Sequence, residues 1–78
     1  MKKVTMYSTP TCHFCHIAKD FFNKNDVAFE EHDVSSDVEK RTEMMDLSDQ
    51  MGVPVIHIGT DVIVGFNEPM IRELLDIK

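Results

Sequence analysis

Seventy-eight residues are enough for one hydrophobic core and too few to divide between two. With 42% hydrophobic and 28% charged residues and only three Gly and three Pro, the composition is that of a compact folded domain and excludes low-complexity or disordered chain. Eight Lys and Arg against fourteen Asp and Glu leave a formal charge of −6, a field that repels phosphate backbones, so nucleic acid is not an expected partner.

No window approaches the roughly 18 consecutive apolar residues of a membrane span. Lys2 and Lys3 lead into a mixed segment rather than an apolar leader, so neither a membrane nor export is expected. Two cysteines are too few to staple a small secreted fold, and a reducing, cytoplasmic compartment is the expectation. They are Cys12 and Cys15, and a bridge between them closes too small a loop to restrain the unfolded chain. If they pair, the reason is chemistry.

Residues 2–7 lean towards β structure and run into the breakers Ser8, Thr9, Pro10 and Thr11, which predicts a strand and then a loop. Phe14, Ile17, Ala18, Phe21 and Phe22 then fall on one stripe of an amphipathic helix, with Lys24 near its end. A second strand is expected over 27–34. Ser36 followed three residues later by Glu39 reads as a capping box, so a second helix should fill 37–50, with Met44, Leu47 and Met51 as its apolar stripe and Gly52 ending it. Met44, Met45 and Met51 read as core filler.

Val53, Val55, Ile56 and Ile58 form a third strand and Val62, Ile63 and Val64 a fourth, joined by a tight hairpin at Gly59 and Thr60. Asn67 is placed to cap a last helix with Pro69 in its first turn and Met70, Ile71, Leu74 and Leu75 on its buried side. The order is β-α-β-α-β-β-α. A right-handed β-α-β unit makes its two strands parallel and the hairpin extends the sheet antiparallel, an α/β architecture with a four-stranded mixed sheet flanked by three helices.

The Cys12-His13-Phe14-Cys15 segment lies where the first loop becomes the first helix. Unpaired amides and the helix dipole favour negative charge there, so a thiolate at Cys12 is stabilised, and Cys15 one turn on is within disulfide reach.

The strand, the Cys-x-x-Cys at a helix start, and Gly52-Val53-Pro54-Val55 before a hairpin resemble the thioredoxin superfamily and specifically the glutaredoxins, over essentially the whole chain. Tyr7-Ser8-Thr9-Pro10-Thr11-Cys12 and Ile63-Val64-Gly65-Phe66 are most similar to small glutaredoxin-like proteins and the glutaredoxin-like hydrogen donors of ribonucleotide reductase. The resemblance implies a thioredoxin fold and a single domain over 1–78. It implies thiol–disulfide exchange with Cys12 as nucleophile and Cys15 as resolving thiol, acting on protein or glutathione mixed disulfides. It further implies a cis Pro54, and a substrate groove of Tyr7, Thr11, Val53, Pro54, Gly65, Phe66 and Asn67. No bound cofactor or metal is implied. The expected electron donor is glutathione or a flavoprotein thioredoxin-type reductase, and the partners are disulfide-containing proteins, with ribonucleotide reductase as one client of a monomeric protein.

Two positions depart from the glutathione-using pattern. Thr9 stands where many glutaredoxins carry Lys or Arg, and Phe66 stands where they carry the second glycine of a pair. Both weaken the case for glutathione and strengthen that for a reductase. Phe66 is also open to a plain packing role, and Tyr7 can line the groove or pack beneath it.

Rival chemistries share the same residues. Cys12-x-x-Cys15-His16 fits a haem-attachment pattern, although that chemistry usually goes with export. Cys12, His13, Cys15 and His16 offer four metal ligands in five residues, but one helical turn cannot aim all four at one ion, so a non-catalytic iron–sulfur or metal carrier on this fold needs a second chain or an added thiol. His13 either tunes the thiolate or faces solvent, His16 belongs on the exposed face, and His32 and His57 read as strand residues without a role.

Overall fold

The computed structural model describes residues 2–77. Its elements are β1 (Val4–Ser8), α1 (His13–Lys24), β2 (Glu30–Asp33), α2 (Val38–Ser48), β3 (Val55–Ile58), β4 (Asp61–Val64) and α3 (Glu68–Leu75). The expected order and pairing both hold. The sheet runs β2-β1-β3-β4, with β1 parallel to β2 and antiparallel to β3, and β3 antiparallel to β4.

Strand alternation divides the core between the two sheet faces. Val4, Met6, Ile56, Ile58 and Ile63 pack with Ala18, Phe21 and Phe22 of α1 and Ile71 of α3. Tyr7 and Val55 pack on the other face with Val34 and with Met44 of α2. The register pairs Tyr7 with Val55, and Val55 with Val64, at one end of the sheet. The chain leaving Ser8 towards the cysteines, the chain entering β3 through Pro54 and the chain leaving β4 through Gly65 therefore meet at that end. This is the carboxyl end of the parallel pair, where open α/β sheets bind their ligands.

Several local expectations are corrected. Strand β2 begins at Glu30, not Val27, because the chain turns sharply at Asp26 (φ 55°) and the Val27 amide bonds back to Phe22 O at 2.8 Å. Strands β3 and β4 start at Val55 and Asp61. Helix α2 is capped by Asp37, whose Oδ1 accepts from Lys40 N at 3.0 Å, not by Ser36. Asp33 captures the backbone N–H and hydroxyl of Ser35 and its carbonyl takes the Ser36 hydroxyl, which leaves Asp37 as the free capping group.

The same helix ends at Ser48 with Asp49 in the left-handed conformation, its N–H bonded to Met45 O at 2.8 Å, so Gly52 is not the terminator. Of the methionine group only Met44 enters the core. Met45 and Met51 are exposed, since one face of α2 meets the sheet and Met51 lies beyond the helix. Met70 is likewise exposed while Ile71 is buried. Phe14 is 58% exposed although it shares a stripe with Phe21. Phe66 reaches Phe21, two helical turns below Phe14.

Candidate active site

The first turn of α1 is built around sulfur. Cys12 is the N-cap residue, in extended conformation (φ −82°, ψ 112°), and its Sγ accepts a hydrogen bond from Cys15 N at 3.2 Å. Its own N–H closes a turn onto Thr9 O at 3.2 Å, which ends the loop that Pro10 and Thr11 begin. Cys12 and Cys15 form a disulfide with their Cα atoms 5.2 Å apart. The two sulfurs are unequal: Cys15 is 2% exposed, whereas Cys12 is half-buried at the helix end. Of the two, Cys12 is the more exposed to an outside reagent.

The electrostatics follow from what surrounds the pair. The nearby cation Lys19 binds Glu31 Oε2 at 2.9 Å, and the same oxygen accepts from Ser8 Oγ at 2.9 Å. That ion pair is neutral as a unit. The helix terminus, equivalent to about half a positive charge, adds a field that favours a thiolate at Cys12. With Cys15, Lys19, Glu31 and Ser8 on its walls, a cleft of about 310 Å³ lies on the β2 flank of α1. Sequence reading missed it, although Lys19 follows Cys15 by four residues on one helical edge.

The histidines are accounted for by their contacts. His13 is exposed, with its ring edge-on to Phe14 at 5.5 Å, and His16 Nε2 lies 2.9 Å from Pro10 O, bracing the loop. Among the described residues no three His, Cys, Asp or Glu side chains gather where they could hold a metal ion.

The Val53–Pro54 peptide bond is cis. Pro54 O accepts from Gly65 N at 2.8 Å, which ties the segment before β3 to the segment after β4. Gly65 has φ +84°, a conformation that favours glycine, and a Cβ there would meet nothing within 4 Å. The main-chain N–H and C=O of Val53 make no main-chain hydrogen bond among the described residues. Thr11 is exposed beside Cys12, and Asn67, also exposed, commits its Oδ1 to Met70 N at 3.3 Å as the cap of α3.

Of the expected groove residues, Tyr7 lies in the core and Phe66 packs against it. Tyr7 is 1% exposed on the α2 face, packs beneath the sheet, and donates its hydroxyl to Glu43 Oε1, so it does not line the groove. Burial foremost, then the Glu43 carboxylate, pushes the Tyr7 phenol well above its ordinary value. The same bond is the main reason the Glu43 carboxyl lies below its ordinary range, with Lys40 adding to it. Phe66 stacks edge-on against Phe21, ring centres 5.6 Å apart, and packs against the core, while the Arg72 guanidinium covers Phe21 at 4.9 Å. Its partial exposure still leaves it on the wall of a cleft with Ile17 and Glu68.

The glutaredoxin family model matches residues 4–63. A glutaredoxin-like 8.6 kDa protein in the rubredoxin operon of Clostridium pasteurianum is 41% identical over 73 residues, covering 94% of this chain and 97% of its own. Glutaredoxin 3 of Escherichia coli K12 is 34% identical over 68 residues, covering 87% of this chain and 82% of its own. Among solved structures, a point mutant of the thioredoxin-like protein BC3987 superposes with a TM-score of 0.92 at 36% identity over the full length of both chains.

Proposed function

The chain belongs to the glutaredoxin family, and from that premise we propose that it is a thiol–disulfide oxidoreductase with Cys12 as nucleophile and Cys15 as resolving thiol. The observation that carries this reading is the asymmetry of the pair: Cys12 Sγ sits at the helix terminus and accepts the Cys15 amide, while Cys15 is buried behind it. A thiolate at Cys12 is stabilised by that amide and by the dipole, and it is the sulfur a substrate reaches first.

The reaction runs in two exchanges. The Cys12 thiolate attacks one sulfur of a substrate disulfide, the substrate S–S bond breaks, and the departing thiolate takes a proton from water. Cys15 then loses its proton and attacks Cys12 Sγ, so the mixed disulfide breaks and the second substrate thiolate leaves. The substrate gains two electrons and Cys12 and Cys15 end oxidised. Two equivalents of an external thiol, or one dithiol, reverse the sequence.

The groove is read as Thr11, Val53, Pro54, Gly65 and Asn67 around Cys12. The unpaired main-chain groups of Val53 form an edge on which an extended peptide next to the substrate cysteine aligns. Disulfide-bearing proteins of the cytoplasm are the clients this arrangement suits. Thr9 supplies no cation for a glutathione carboxylate, and Phe66 fills space where a glycine would leave room, which favours a flavoprotein thioredoxin-type reductase over glutathione as electron donor. The test is to reduce the oxidised chain with glutathione and, separately, with an NADPH-driven reductase, counting free thiols with time. Fast reduction by the reductase and slow reduction by glutathione are expected. Useful turnover with glutathione alone overturns the donor assignment.

A further inference from the structure

A single side chain holds the segment that presents Val53. The Gln50 carboxamide meets both main-chain groups of Gly52: its Oε1 accepts from Gly52 N at 2.5 Å and its Nε2 donates to Gly52 O at 3.0 Å. This is the pair of bonds a neighbouring strand would make. The second Nε2 proton goes to Ser48 Oγ at 3.1 Å, and the Ser48 hydroxyl is shared between Met44 O at 2.7 Å and Gln50 O at 3.1 Å. A chain of hydrogen bonds thus runs from Met44, which is fully buried, through Ser48 and Gln50 to Gly52.

The clamp also explains Gly52. A Cβ there would stand 2.7 Å from Gln50 Oε1, so a side chain at this position would dislodge the carboxamide. Bonding stops one residue later, at Val53, whose N–H and C=O have no main-chain partner among the described residues.

We propose that Gln50 is a positioning residue for substrate docking, holding the Gly52–Val53 segment in place so that Val53 meets an incoming peptide without first being ordered. The inference rests on Val53 being the docking edge. A pre-ordered edge saves the binding step the cost of immobilising that loop, so loss of the clamp is expected to raise KM for a peptide disulfide by about tenfold. The chemistry at Cys12, set by the far end of the site, is expected to stay as it is.

The test uses the full chain, a short cystine peptide, the same peptide N-methylated on the amides flanking its cysteine, and 2-hydroxyethyl disulfide, which has no peptide group. In the parent protein KM should be lower for the unmethylated peptide. In Gln50→Ala that preference should collapse, with kcat, the Cys12 alkylation rate and turnover of 2-hydroxyethyl disulfide unchanged. If the parent shows no preference, the Val53 edge is wrong and this proposal falls with it. If the parent prefers the unmethylated peptide and Gln50→Ala prefers it equally, the edge stands and the role of Gln50 is overturned. Should circular dichroism show that Gln50→Ala does not fold, the isosteric Gln50→Glu, which has no donor for Gly52 O, carries the same expectation and is overturned by the same retained preference.

Discussion

The Tyr7 hydroxyl donates to Glu43 Oε1 across 36 residues of sequence, joining β1 to α2 on the sheet face away from the cysteines. Helix α2 contributes only Met44 to the core, so this bond is one of few specific ties between helix and sheet. Tyr7→Phe keeps the ring and removes the tie. The expected loss is about 1 kcal/mol in urea unfolding, the usual worth of a hydrogen bond to a partly solvated carboxylate. Disulfide reduction should be unchanged. A fall in turnover without a fall in stability would restore Tyr7 to the groove.

The same pair gives stability a pH dependence at both ends. The Glu43 carboxyl is held below its ordinary 4.5, chiefly by the Tyr7 hydroxyl, so its contribution is present above that value and is lost as pH falls through the lowered folded value. The Tyr7 phenol is held above its ordinary 10.0, chiefly by burial, so its contribution is complete below pH 10 and is lost as pH rises beyond it. Unfolding free energy measured against pH should decline at both extremes, and Tyr7→Phe should flatten the alkaline decline. An alkaline limb identical in the variant would show that another group controls it.

Much of the fold is legible because it rests on period and punctuation. The Phe21–Phe22 stripe and the runs around Ile56 and Ile63 repeat often enough to identify a helix and a hairpin, and Asn67 with Pro69 marks the start of α3. What escaped is tertiary competition for single groups. Ser36 has the spacing of a cap, yet Asp33 draws the Ser35 and Ser36 hydroxyls towards itself, and only the fold shows which oxygen wins. Phe14 belongs to the stripe by angle but lies above the reach of Phe66. In the site, the cysteines announce themselves by spacing and helix position. The Gln50 clamp carries no such signal, because a glutamine in a loop has no pattern until its partners are placed.

The two candidate caps of α2 are separable by mutation. Asp37→Ala removes the acceptor for the Lys40 amide and should cost about 1 kcal/mol. Ser36→Ala should stay within about 0.5 kcal/mol, as expected of an exposed residue outside the cap. Thermal unfolding of both variants decides the matter, and a larger loss for Ser36→Ala would reinstate the capping box.

Phe66 carries two roles that pull apart. Its ring packs on Phe21 and the core, so Phe66→Ala should cost about 2 kcal/mol, less than a fully buried Phe because the ring is partly exposed. Its bulk beside the site is also read as an obstacle to glutathione, so the same variant should be reduced faster by glutathione at a temperature where it remains folded. A stability loss with no gain in glutathione rate would leave Phe66 as core packing alone.

The proposed order of attack rests on Cys12 being the more exposed sulfur. Cys12→Ser removes the more exposed sulfur and leaves Cys15 at 2% exposure, so reduction of any disulfide should cease. Cys15→Ser keeps the nucleophile and removes the thiol that releases it, so an equimolar disulfide peptide should be captured as a mixed disulfide visible by intact mass. The hydroxyl at position 15 leaves the Cys15 backbone N–H in place, so the bond that N–H makes to Cys12 Sγ survives. Iodoacetamide should therefore alkylate Cys12 in this variant at neutral pH well above the rate for a cysteine of ordinary pKa near 8.5, and unfolding in urea should abolish the excess. Equal rates folded and unfolded would mean that the helix terminus does not activate the thiol, and the asymmetry of the pair would then reflect access alone.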